Sequence, residues 1–183
     1  MNDLTYNVLF LCTGNSARSV MAEALLATLG KGRFCTYSAG SNPIGKINPF
    51  AIEQVHKTGY DLANLRSKSW DEFAISEPSA PLMDFVITVC DQAAGEVCPL
   101  WPGHPASAHW SFSDPAAVEA VEGPDENRRA AFEQVYQQIR RRVEAFVELP
   151  LNELDDAAIR AELRRISDID VTAIGTSGMS TQG

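Results

Sequence analysis

The strongest constraint on the fold is a short apolar segment that ends at a cysteine. Residues 7–11 read Asn-Val-Leu-Phe-Leu, a continuous apolar run typical of a strand buried on both faces of a parallel sheet. The run stops at Cys12, and residues 13–16 have the composition of a loop. Apolar residues then recur at helical spacing from Ala17 to Leu29, where Gly30 is a stop signal. A strand, a loop and a helix in this order favour an α/β fold.

The same alternation continues along the chain. Residues 94–124 are rich in glycine and proline and predict long loops with at most one short strand, while residues 175–183 predict a flexible tail. We expect a three-layer open α/β sheet of about four parallel strands with helices on both faces, and a ligand site at the carboxyl ends of the strands. The other predicted elements are a strand at 36–38, a helix at 49–59, a strand at 85–89, a helix at 132–146 and a charged helix at 155–167.

Length and charge restrict the classes of function. The chain has 183 residues, of which 45% are hydrophobic, enough for one domain with a full core. Its net charge of −9 disfavours binding to nucleic acid or to anionic membranes. The amino terminus lacks the features of a signal peptide and no apolar stretch is long enough to span a membrane, so we expect a cytoplasmic monomer. Its four cysteines are then catalytic, metal-binding or incidental rather than a disulfide framework.

The segment around Cys12 predicts an anion site. The cysteine ends a buried strand, and Arg18 begins the next helix. Backbone N–H groups of the loop, the helix dipole and the guanidinium would converge on one anion, and the same field should lower the pKa of Cys12. A buried cysteine beside a solvated arginine is the alternative, but the complete string C-T-G-N-S-A-R-S is more specific than the cysteine and arginine alone. The predicted oxyanion-binding residues are Thr13, Gly14, Asn15, Ser16, Ala17 and Arg18.

The string VLFLCTGNSARSVMAEALL resembles the signature of the low-molecular-weight tyrosine phosphatase superfamily, in which this loop holds phosphate or arsenate. The resemblance implies that Cys12 is the nucleophile and Arg18 the oxyanion clamp, with Asn15 and Ser19 supporting the loop and the thiolate. Ser113-Asp114-Pro115 resembles the motif that supplies the general acid of the family, so Asp114 would protonate the departing oxygen. Asp-Pro is also a common turn dipeptide, and its interpretation depends on the nucleophile loop before it.

Two further cysteines point to redox chemistry. A phosphatase needs no thiol beyond its nucleophile, whereas a reductase needs a second thiol to displace the reduced product. Cys90 follows a predicted strand that should neighbour the first one, and Cys98 could attack Cys90 and carry the disulfide to the surface through a loop that contains Gly95.

These cysteines, with C-P-L-W-P-G and H-W-S-F-S-D-P, resemble the thioredoxin-coupled arsenate reductase branch of the superfamily over residues 7–147. The resemblance implies arsenate as substrate, phosphate or sulfate as analogues, and a role in arsenic detoxification. It also implies an external reductant, thioredoxin or glutathione with glutaredoxin, and no tightly bound cofactor. We expect a catalytic domain at 1–148 and a helical extension with a flexible tail at 149–183.

Other functions are open at this point. A tyrosine phosphatase would use the same loop and acid, but Ala116-Ala117 after the Asp-Pro motif favours a pocket for a small oxyanion. A redox sensor or an arsenite-binding module would leave the nucleophile, clamp and acid without a use. A zinc site of Cys90, Cys98, His104 and His109 matches no common spacing, so we expect no metal there. We expect His109 and Trp110 to serve in loop packing and orientation rather than as ligands. Cys35 is expected to be a buried thiol without a catalytic part.

The sequence also departs from the family. Ala17 occupies the position of a second loop cysteine in many members, so resolution of Cys12 would fall to Cys90. Some reductases of this branch bind potassium near the loop, and Asn15, Glu23 and Ser38 match three of their four ligands. Lys68 stands where the fourth, an aspartate, would be. We predict that its ammonium replaces the ion; the alternative is a solvated surface lysine.

Overall fold

Four parallel strands form one open sheet in the structure, a computed structural model that describes residues 4–116 and 124–171. The strand order is β2-β1-β3-β4, which confirms the predicted α/β class. The short β4 lies in the segment predicted to be mostly loop. The strands are β1 Tyr6–Cys12, β2 Phe34–Gly40, β3 Phe85–Thr88 and β4 Ala106–His109.

The register brings the ends of three strands to one edge of the sheet. Leu11 of β1 lies opposite Ala39 of β2 and Thr88 of β3. The next residue of β1, Cys12, therefore emerges beside the end of β3, two residues before Cys90. This is the edge at which open parallel sheets bind their ligands.

Three predicted helices have bounds within one residue of those observed, whereas the helix predicted at 132–146 begins seven residues earlier, at Asp125. Pro49 occupies the first turn of α2, where the side chain of Asn48 caps the helix by accepting from the Phe50 amide. Asp155 caps α5 by accepting from the Ala158 amide. The α-helices are α1 Arg18–Leu29, α2 Pro49–Thr58, α3 Asp91–Ala94, α4 Asp125–Val147 and α5 Asp156–Ser167; 3₁₀ helices cover Leu62–Asn64, Trp70–Phe73 and Leu151–Glu153.

Each face of the sheet has its own core, because alternate side chains of a strand point to opposite faces. On the first face, Val8 and Phe10 pack with the long helices. On the second face, Leu9 and Leu11 pack under Trp70–Phe73 and the neighbouring loops. The described layer on the second face is thus built mainly from a 3₁₀ helix and loops.

The described part of the carboxyl-terminal extension packs into the main core. Leu151, Leu163 and Ile166 are buried in the cluster that also contains α1 and α4. The tail predicted at 175–183 lies outside the described residues. Within the described chain, no helix is both long enough and apolar enough to cross a membrane.

The prediction that Cys35 is buried is wrong. Its side chain is exposed on β2, which is an edge strand. The covering layer reaches Tyr37 through its ring contact with Phe73, but it does not extend to the start of β2.

Candidate active site

The loop from Cys12 to Ala17 is held from outside through its carbonyl groups. The carbonyl of Thr13 accepts from the Asn42 amide at 2.9 Å, that of Gly14 from the Ile44 amide at 3.0 Å, and that of Ser16 from an amide of the same outer segment. These outward bonds leave the intervening amides for the cavity that the loop lines. The loop therefore has the polarity of an anion site.

Asn15 gives the loop its shape. Its backbone has a positive φ of 45°, and asparagine tolerates this region better than most residues. The Asn15 amide donates to Cys12 Sγ at 3.2 Å, and its side-chain Nδ2 donates to Ser19 Oγ and Ser38 Oγ at 2.9 and 3.0 Å. Ser19 Oγ lies 3.1 Å from Cys12 Sγ. The two residues predicted to support the loop, Asn15 and Ser19, both contact the sulfur of Cys12.

Gly40 is a structural requirement of the loop that the sequence reasoning missed. A Cβ atom on this residue would collide with the carbonyl oxygen of Thr13 and crowd Asn15. The end of β2 can thus approach the loop closely only without a side chain. A glycine that ends a predicted strand was the available signal.

A buried polar cluster lies beneath the loop. Ser38 Oγ donates to Glu23 Oε1 at 2.8 Å, and Tyr60 donates to Glu23 Oε2 at 2.8 Å. Lys68 Nζ lies 4.0 Å from Glu23 Oε1 and donates to the Arg66 carbonyl, while the Lys68 amide donates to Asn15 Oδ1 at 2.9 Å. The Lys68 side chain is only 8% exposed, so it is not a solvated surface lysine.

Burial and charge act in opposite directions on this pair. Burial raises the pKa of Glu23, whereas Lys68 and the hydrogen bonds from Tyr60 and Ser38 lower it. Burial lowers the pKa of Lys68, and the charge of Glu23 opposes that shift. Each group therefore supports the charged form of the other.

Cys12 and Cys90 each affect the ionisation of the other. Cys90 Sγ also lies 3.6 Å from Thr13 Oγ1. The contact with Cys90, followed by burial, raises the pKa of Cys12, and the same contact lowers the pKa of Cys90 to about 5. The predicted lowering for Cys12 alone is thus wrong, because a second thiol competes for the negative charge. Within the pair, the negative charge is therefore favoured on Cys90 over Cys12.

Arg18 faces the predicted acid. Its Nη2 lies 3.8 Å from Asp114 Oδ2, and its Nη1 donates to the Phe112 carbonyl at 2.9 Å. Asp114 is 42% exposed and accepts from the Ala116 amide. The arginine is therefore oriented by the segment that carries the carboxylate.

The cavity between these groups has a volume of about 280 Å³. Its described walls contain no aromatic side chain; Ala117, the second alanine of the predicted small pocket, lies outside the described residues. The lining residues beyond the loop and Asp114 are Asn42, Ile44, Gln92 and Ala116. These dimensions and walls suit a small anion.

Cys98 lies apart from Cys12 and Cys90. It is exposed and lines a second cavity together with Trp101 and His109. Over the part of the chain that the structure describes, no three His, Cys, Asp or Glu residues are grouped to hold a metal. His109, predicted to serve in loop packing and orientation, makes polar contacts with Thr88 and Asp91.

Comparison with known proteins gives consistent matches. The family model for the low molecular weight phosphotyrosine protein phosphatase matches residues 7–162. Arsenate reductases of Halalkalibacterium halodurans and Bacillus subtilis are each 36% identical to the chain over 141 residues, which covers 77% of this chain and 94% of each relative.

Solved structures are similar as well. An arsenate reductase from Archaeoglobus fulgidus matches with a TM-score of 0.57 and 26% identity, covering 78% of this chain and 99% of that one. A thioredoxin-dependent arsenate reductase of Corynebacterium glutamicum matches with a TM-score of 0.52 and 28% identity, covering 76% of this chain and 61% of that one.

Proposed function

The chain belongs to the low-molecular-weight phosphotyrosine protein phosphatase family, and on that premise we propose that it is an arsenate reductase that uses Cys12, Cys90 and Cys98 in sequence. Arsenate binds in the cavity over Cys12, where loop amides and Arg18 hold its oxygens. The Cys12 thiolate attacks arsenic and forms a sulfur–arsenic bond. Asp114 gives its proton to the departing oxygen, which leaves as water.

The second step reduces arsenic. The Cys90 thiolate attacks Cys12 Sγ, and the electron pair of the sulfur–arsenic bond passes to arsenic, which leaves as arsenite. A Cys12–Cys90 disulfide remains. Cys98 then attacks Cys90, which releases the Cys12 thiolate and moves the disulfide to the surface.

The observation that supports this function best is the position of Cys90, whose Sγ lies 3.6 Å from Thr13 Oγ1 in the loop that follows Cys12. A phosphocysteine is hydrolysed by water and needs no neighbouring thiol, whereas arsenate reduction requires a second thiol at the first sulfur. The absence of aromatic residues from the described cavity walls also favours a small oxyanion over phosphotyrosine.

A protein reductant fits the surface around Cys98. Val97 and Leu100, on either side of this cysteine, are highly exposed, and Ile75 bonds through its amide to the Leu100 carbonyl. Exposed apolar side chains beside a reactive thiol suit a docking protein better than a small anionic thiol. We propose thioredoxin as the electron donor, with glutaredoxin as the alternative, and a cytoplasmic monomer as the working form.

Mass spectrometry after one equivalent of arsenate tests the relay. A Cys98→Ser protein is expected to release arsenite once and to accumulate the Cys12–Cys90 disulfide. A Cys90→Ser protein is expected to stop at arsenylated Cys12 without any disulfide. Cys35→Ser is the matched control, because it removes an exposed thiol that the relay does not use, and it should behave like the unchanged protein.

Parallel turnover assays identify the reaction. The proposal requires arsenate-dependent oxidation of reduced thioredoxin by the unchanged protein. If Cys98→Ser yields no Cys12–Cys90 linkage and p-nitrophenyl phosphate is hydrolysed at full rate by Cys90→Ser, the protein is a phosphatase.

A further inference from the structure

His109 ends β4 and contacts both β3 and the relay segment. Its Nδ1 lies 2.8 Å from Thr88 Oγ1, and its Nε2 lies 2.8 Å from Asp91 Oδ1. Asp91 follows Cys90 directly and begins α3. We propose that His109 is a positioning residue for the thiol relay: its bond to Asp91 holds Cys90 against Cys12 for the first disulfide, and loss of that bond frees Cys90 to meet Cys98. This inference rests on the proposed function.

The sheet, rather than α3, fixes the orientation of the imidazole ring. When His109 is neutral, Nε2–H donates to Asp91 and Nδ1 accepts from the Thr88 hydroxyl. When it is charged, Nδ1–H donates to that hydroxyl, whose proton can turn to the Ala108 carbonyl at 3.4 Å. Thr88 therefore supports the same ring position in both charge states, and the ring stays in place when Asp91 leaves.

A single carboxylate oxygen of Asp91 makes the contacts with β4 and the residues that follow it. Oδ1 accepts from His109 and also from Ser111 Oγ at 2.8 Å. These two hydrogen bonds lower the pKa of Asp91, which stays ionised at neutral pH. Both partners belong to β4 and the residues after it, so the first turn of α3 is attached to a rigid strand.

The contact between Asp91 and His109 is weak enough to break during the reaction. Asp91 is 80% exposed and His109 is 37% exposed, and ion pairs between exposed groups contribute little to stability. A strong buried pair would oppose any movement of α3. A weak pair biases the position of Cys90 and still permits the segment to leave.

The relay requires that movement. Cys90 is buried beside Cys12, whereas Cys98 is exposed and lines the other cavity, which includes Ala93 of α3 and His109 itself. A disulfide needs Cα atoms about 4.4–6.8 Å apart. Because the α3 turn separates the two cysteines, it must rearrange before Cys98 can reach Cys90, and Asp91 moves with it.

The rates of the two disulfide steps distinguish a positioning role of His109 from a general structural one. Rapid quenching and mass spectrometry after one equivalent of arsenate give the rate at which Cys12–Cys90 forms and the rate at which it converts to Cys90–Cys98. In His109→Phe and in Asp91→Ala, neither of which can keep the bond, we expect the first step to slow by about two- to fivefold, the range that an exposed pair supplies. The second step should be as fast as in the unchanged protein or faster.

A double variant completes the test. The double variant His109→Phe with Asp91→Ala should be no slower than Asp91→Ala alone, because the change at Asp91 already removes the bond to His109. Glu96→Gln removes a carboxylate from the same segment and should change neither rate. Unchanged rates in both single variants, or equal slowing of both steps, would overturn the role of His109. If the unchanged protein forms no Cys12–Cys90 disulfide, the proposed function itself fails, and the role of His109 falls with it.

Discussion

Cys12 ends β1 and Cys90 follows the neighbouring parallel strand β3, so both thiols lie at the same edge of the sheet. Their contact raises the pKa of the first sulfur and lowers the pKa of the second to about 5. Reaction with arsenate at Cys12 requires the charge on that sulfur, so the proton must pass to Cys90 within the pair. After attack, Cys90 must lose it again to become the second nucleophile.

Removing either thiol should shift the pKa of the other in a predictable direction. With Cys35 and Cys98 replaced by serine, Cys12→Ala should raise the pKa of Cys90 above about 5, because the hydrogen bond from Cys12 is the main cause that lowers it. At neutral pH less thiolate would then be present. Cys90→Ala should lower the pKa of Cys12 for the complementary reason. Ultraviolet absorbance of the thiolate against pH measures both, and pKa values equal to those of the parent protein would contradict the coupling.

The fold was largely predictable because its strands and long helices carry strong periodic patterns. The α3 helix was missed, since four residues from Asp91 to Ala94 cannot display a helical period. The loop at Cys12 was predictable from contiguous residues. The pairing of Cys12 with Cys90, which shifts the pKa of Cys12, was not predictable, because these residues are 78 positions apart. The close approach of Gly40 to Thr13 also joins distant parts of the chain.

Asp114 is predicted to act as the acid. Asp114→Asn should slow the formation of the Cys12–Cys90 disulfide by roughly 10²–10⁴-fold and leave phosphate binding intact. Asparagine keeps an oxygen that can accept from the Ala116 amide, so the local turn is retained. Asp114→Ala loses both the acid and the oxygen that accepts from the Ala116 amide, so its comparison with Asp114→Asn separates the effect of the turn from that of the acid. A full single-turnover rate in Asp114→Asn would exclude this residue as the acid.

Lys68 is predicted to replace a bound cation. The unchanged protein should turn over at equal rates in potassium and sodium salts of the same ionic strength, because an ammonium already lies beside Glu23.

Lys68→Ala should lose about 3 kcal/mol of unfolding free energy, because the buried carboxylate of Glu23 loses its charged partner. Potassium should restore part of that loss, as measured by urea unfolding. Lys57→Ala, which removes an exposed lysine from another ion pair, is the control. Several-fold activation of the unchanged protein by potassium would contradict the prediction.

Arg142 is predicted to connect the carboxyl-terminal extension to the segment that carries the acid. Its guanidinium is buried, donates to the carbonyls of Ser111, Ser167 and Ile169, and lies 4.8 Å from the centre of the Phe112 ring. The Phe112 carbonyl in turn accepts from Arg18, so loss of Arg142 should loosen the support of the oxyanion clamp.

Arg142→Met should cost about 3 kcal/mol of unfolding free energy, measured by urea unfolding, because three carbonyls lose a charged donor. It should also slow arsenate turnover at temperatures where it remains folded. Arg142→Lys should be intermediate, since one ammonium cannot reproduce the planar fork. The neighbouring Arg141 is exposed, and Arg141→Met should change the unfolding free energy by no more than about 0.5 kcal/mol. Equal stability of the two methionine variants would show that the extension is held without Arg142.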